Sequence, residues 1–180
     1  MQDRKYLAPF FSLLPALPLF YHFDFSLNFF SILPFALVSI SLIRTDLANH
    51  LLPNRLIYPA LLLTFFSFLF YSVKLEDVSI LFNSLLRFLT ALVSGVLLYF
   101  LARGGFGAGD VKLMSLIALS LANFPAELTI YAFSFSFIVA GLYSLWMLAT
   151  HKISLRSAIP FGPFLIAGTW LVILLYAANY

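Results

Sequence analysis

The chain has 180 residues, 63% of them hydrophobic and 9% charged, with 22 phenylalanines and a mean hydropathy of +1.03. A soluble domain carries roughly 25% charged residues, so a water-exposed globular surface is excluded. A nucleic-acid-binding face is excluded as well, because the net charge of +3 is spread over scattered single basic residues; the absence of cysteine excludes disulfides, thiolate metal sites and cysteine nucleophiles.

What remains is an all-α polytopic membrane bundle of six to seven transmembrane helices, about seven, forming a single domain over 1–180. The alternating segments of about ten residues that mark a spanning barrel are absent. After the polar Met1–Lys5 comes an apolar run, Tyr6–Tyr21. It resembles a signal peptide, but Pro15 and Pro18 interrupt it and no small-x-small cleavage site follows. It is expected to be a retained first helix. Further helices are expected over about Phe25–Ile43, Leu56–Val73, Val78–Ala102, Val111–Asn123, Ala126–Thr150 and Ala158–Ala178. The fourth of the seven is long enough to span with tilt.

With the N-terminus in the cytoplasm, Arg4, Lys5, Arg44, Arg55, Arg103, Lys112, Lys152 and Arg156 all fall on the inner side. Only Lys74 falls outside, together with Asp24, Glu76, Asp77 and Glu127. This positive-inside bias places the C-terminus outside and puts Asp46 and Asp110 on the same, cytoplasmic face.

Those two aspartates are the candidates for chemistry. Four of the eight glycines fall in Gly104–Gly109, directly before Asp110. A lone aspartate there reads as the N-cap of the following helix. Four glycines in six residues, however, let the backbone approach a substrate or another helix closely. An ionisable group at a membrane boundary is also costly and often functional. Two carboxylates held close cannot both ionise cheaply, so one keeps its proton. The ionised one can then draw a proton from water while the protonated one polarises a carbonyl. Such chemistry needs no metal and no cofactor, and none is expected. His50, four residues after Asp46, would share a helical face with it; with Asp110 the set is too thin for a metal site. Arg87, roughly 12 Å into its helix at 1.5 Å per residue, is expected to snorkel outward. Lys112 reads equally as an electrostatic neighbour of the site or as a positive-inside anchor.

The segment Asp46-Leu-Ala-Asn-His-Leu-Leu-Pro-Asn54 resembles the first signature of the type IV prepilin peptidase family, an Asp followed shortly by Leu-Pro-Asn. Gly107-Ala-Gly-Asp110-Val-Lys-Leu113 resembles the second, GxGDxKL. Ile159-Pro-Phe-Gly-Pro-Phe164 resembles the proline-containing start of that family's last helix, with Pro160 and Pro163 shaping its start. The likeness spans about Arg44–Leu165. It implies that Asp46 and Asp110 are the catalytic aspartates of a GxGD membrane aspartyl peptidase. Pro53, Asn54, Gly107, Gly109 and Lys112 would position motif or substrate.

The resemblance also implies cleavage, at the cytoplasmic face, of the short basic leader of prepilin, pseudopilin or Flp-type preproteins. The partners would be that preprotein, the lipid bilayer, and pilus or type II secretion machinery in the same pathway. Long members carry an N-terminal region with paired CxxC motifs linked to methylation. None is present here, so a peptidase-only form is expected, as in tight-adherence pilus systems and archaeal flagellin processing.

Two alternatives fit less well. Signal-peptide-peptidase or presenilin-like proteases share GxGD but usually show Tyr-Asp at the first aspartate, where Thr45 precedes Asp46. A non-enzymatic small transporter or assembly factor would need acids along a path through the bilayer.

Overall fold

The computed structural model describes residues 23, 25–102, 105–152, 154 and 159–178. Among them the regular structure is entirely helical: α1 (Leu27–Asn49), α2 (Asn54–Lys74), α3 (Val78–Leu101), α4 (Ala108–Ser120), α5 (Ala126–Ala149) and α6 (Gly162–Ala178). The expected first span, Tyr6–Tyr21, lies outside the described residues, as do Asp24, Arg103, Gly104 and Arg156.

Four helices, α1, α2, α3 and α5, are long and apolar enough to cross a membrane. At 1.5 Å per residue they exceed the roughly 30 Å of hydrocarbon. The chain is therefore a multi-pass membrane protein. The expectation of about seven spans is corrected: α6 is a shorter apolar helix of 17 residues. With 13 residues, α4 reaches only about 20 Å, too little to cross alone.

Punctuation in the sequence sets the helix limits. Nothing in Arg44–Asn49 breaks a helix, so α1 continues past the expected end at Ile43. It stops where His50 turns left-handed at φ 52°. Asp77 caps α3, its Oδ1 accepting from Ser79 N–H at 2.9 Å. Pro53 and Pro125 stand immediately before α2 and α5.

The short helix is the centre of the bundle. From Asp110 to Ser120 every α4 side chain except Lys112 is buried, against α3, α2, α1 and α6. Gly95 lets α3 come close: a Cβ there would lie 3.1 Å from Val111 Cγ1. On the other side, α5 packs on α6, where Gly168 leaves no room for a Cβ, which would lie 2.7 Å from Ala132 O. The large exposed side chains of α2, α3 and α5, among them Phe66, Phe70, Phe82 and Phe100, form the lipid-facing surface.

Arg87 does not snorkel. It turns inward, and Nη1 donates to Phe124 O at 2.7 Å and to Leu121 O at 3.3 Å. The end of a helix too short to reach the surface leaves carbonyls that lipid cannot satisfy. A guanidinium from the neighbouring span supplies a donor to Phe124 O and a further one to Leu121 O, which also accepts Phe124 N–H at 3.0 Å.

Candidate active site

The last turn of α1 carries Asp46, 4% exposed. Its carbonyl accepts the N–H of His50 at 2.9 Å, closing the helix. The reversal at His50 brings Leu52 inward, and Pro53 leads into α2, which begins at Asn54. Within the glycine stretch, Gly107 stands in extended conformation immediately before α4, and Gly109 is already helical. Asp110 is therefore not the N-cap that a lone aspartate would suggest. It is the third residue of α4, 9% exposed, and its Oδ2 reaches back to accept Gly107 N–H at 2.9 Å.

The two aspartates line one cavity of about 540 Å³. Pro53, Asn54, Gly107, Gly109 and Lys112 line it too, as does His50. Every residue singled out in the two signatures thus meets at one place, where α1, α2 and α4 end or begin. A direct bond joins the signatures: Lys112 Nζ donates to Asn54 Oδ1 at 2.8 Å and sits over the Tyr58 ring, 5.4 Å from its centroid. Gly109 has a packing reason, because a Cβ there would lie 3.0 Å from Leu52 Cβ.

Burial pushes the Asp110 carboxyl up to about 6; the Gly107 N–H opposes the rise, and the nearby charge of Asp46 adds to it. Asp110 lies outside the four spans, at the open end of α4. A carboxyl that keeps its proton up to about pH 6, beside a second carboxylate, is the arrangement needed to activate water against a carbonyl. Among the described residues no three His, Cys, Asp or Glu side chains gather as metal ligands would.

One contact was missed from the sequence. Asp46 Oδ2 accepts the backbone N–H of Gly162 at 2.9 Å, at the first residue of α6. The available signal was a repeated doublet: each aspartate is held by a glycine that directly follows a phenylalanine, Phe106-Gly107 and Phe161-Gly162.

The chain also matches known proteins. The type IV leader peptidase family matches residues 31–145, a stretch that includes both aspartates but not Gly162. The chain is also similar to the prepilin leader peptidase/N-methyltransferase of Bacillus subtilis (strain 168), with 28% identity over 152 residues. That alignment covers 84% of this chain and 58% of the relative, so the chain spans little more than half the relative's length. No solved structure matches.

Proposed function

Since the chain belongs to the type IV leader peptidase family, we propose that it is an aspartyl endopeptidase of the membrane. Its substrates would be prepilin-like preproteins, from which it removes the short basic leader at the cytoplasmic face. The observation that carries this reading is the cavity itself: two buried carboxylates from distant signatures face one space, each held by a glycine N–H.

In this mechanism Asp110 supplies the proton and Asp46 the base. Asp110, neutral up to about pH 6, donates a hydrogen bond to the scissile carbonyl and draws charge toward its oxygen. Asp46, ionised, takes a proton from the attacking water as the new C–O bond forms. Collapse of the tetrahedral intermediate breaks the C–N bond, and the leaving amine takes a proton from the carboxyl pair. The Lys112–Asn54 bond holds the two signatures in register around this centre. The cytoplasmic assignment follows the basic residues beside both signatures, Arg44, Arg55 and Lys112.

The test is leader removal by purified protein in lipid vesicles. Asp46→Asn and Asp110→Asn, made separately, should each lower turnover by about 10⁴-fold while the protein stays folded in the membrane. Wild-type processing by either variant overturns the reading.

A further inference from the structure

Each carboxylate of the pair is held by a backbone N–H, and a glycine has no side chain with which to anchor that donor. Gly107 N–H donates to Asp110 Oδ2 and Gly162 N–H to Asp46 Oδ2, both at 2.9 Å. The peptide unit is planar, so each N–H lies in one rigid plane with the Cα of the residue before it. That residue is a phenylalanine both times, Phe106 and Phe161. Whatever holds those two side chains therefore constrains both donors.

The two side chains hold each other. Their rings meet edge to face, with centroids 5.4 Å apart and planes at 63°, inside the range of about 4.5–7 Å over which aromatic pairs attract. Phe137 of α5 braces both, 6.3 Å from Phe106 and nearly parallel to it, and 4.8 Å from Phe161. Phe106 is buried, and a ring of that size has little freedom in a close-packed interior. None of the three rings lines the carboxylate cavity, so they act on it through the backbone and not by touching what it holds.

A continuous path thus runs from one carboxylate to the other: Asp110, the Phe106–Gly107 peptide, the two rings, the Phe161–Gly162 peptide, Asp46. Two carboxylates share one proton only while they stay close, so their separation matters to turnover. We propose that the Phe106–Phe161 contact is a strut that ties the two glycine donors together and holds the carboxylates at one separation. On the peptidase reading, which this inference rests on, both phenylalanines are positioning residues. Rings that only filled the core would affect stability, and would leave the spacing of the two signatures and the split between binding and turnover alone.

The test combines a distance with a rate. The chain lacks cysteine, so Asn49→Cys at the end of α1 and Ala108→Cys at the start of α4, both exposed, take a pair of spin labels without a competing thiol. In vesicles the distance distribution between the labels should broaden with Phe106→Leu or Phe161→Leu, which keep an apolar side chain but remove the ring. Without labels, each leucine variant should lower kcat for leader removal about tenfold, less than the hundredfold of a 1 Å misplacement, with KM unchanged. The double variant should be no slower than either single one, because both break the same contact. Phe→Met takes the place of any leucine variant that does not fold. An unchanged distance distribution, an unchanged kcat, or single effects that multiply in the double variant overturns the strut. Absence of cleavage by the unaltered protein overturns the peptidase reading instead, and the label distances still decide whether the ring contact holds the two signatures in place.

Discussion

Gly162 donates its backbone N–H to Asp46 Oδ2 across 116 residues of sequence, at 2.9 Å. The contact leaves no space for a side chain, because a Cβ at position 162 would lie 2.8 Å from that same oxygen and 3.1 Å from Leu52 Cδ2. Leu52 also fills the space in front of Gly109. One leucine thus spaces the two glycine segments that flank the carboxylates.

Gly162→Ala should therefore displace Asp46 rather than unfold the bundle. A displacement near 1 Å at reacting groups costs roughly a hundredfold in rate. Turnover of a preprotein in vesicles should fall by that order while the amount of folded protein in the membrane is retained.

The Lys112–Asn54 bond predicts a shared effect. Lys112→Met and Asn54→Ala should each reduce kcat/KM about fivefold, the size of one modest hydrogen bond. Because each substitution breaks the same bond, the double variant should be little worse than either single one. A double-mutant cycle on leader cleavage measures this; full multiplication of the two effects would show that the bond does not couple the signatures.

Asp110 sets the expected pH dependence. With its carboxyl at about 6, the proton needed by the mechanism is lost as pH rises through that value, and kcat/KM should fall on the alkaline side. Stability changes with the same sign. The folded protein keeps a proton that the unfolded chain releases near 3.8. The contribution is full below that value and disappears as pH rises to about 6. Asp110→Asn is neutral throughout, so its melting temperature should exceed that of the wild type by a margin that grows from pH 4 to pH 7. The limit is about 3 kcal/mol, read by thermal unfolding in detergent across that range.

Arg87→Met should destabilise the bundle by about 1–3 kcal/mol, because Phe124 O and Leu121 O lose a charged donor in apolar surroundings. Arg87→Lys should recover part of the loss, since an ammonium keeps a charged donor on a side chain of different reach. Thermal unfolding of the three proteins side by side checks the order.

Much of this was legible in the sequence. Long apolar runs gave α2, α3 and α5 to within a few residues, and the two signatures named every residue now found around the carboxylate cavity. The failures have specific causes. The count of seven crossings treated α4 as a full span, although its 13 residues are buried among other helices and need not reach both surfaces. Arg87 was assigned to the lipid interface because its partners are backbone carbonyls, which carry no side-chain signature. Gly162 was missed for the same reason: a backbone N–H looks alike at every position, and only the docking of α6 brings this one to Asp46.

That dependence on α6 has a consequence for biogenesis. Helices enter the membrane in chain order, and α1 and α4 can bring the two signatures together before the chain is complete. The donor for Asp46 arrives only when α6 inserts beside them. A chain stopped within α5 would carry both aspartates and still lack the group that fixes one of them. On the peptidase reading, competence would appear only with the insertion of α6.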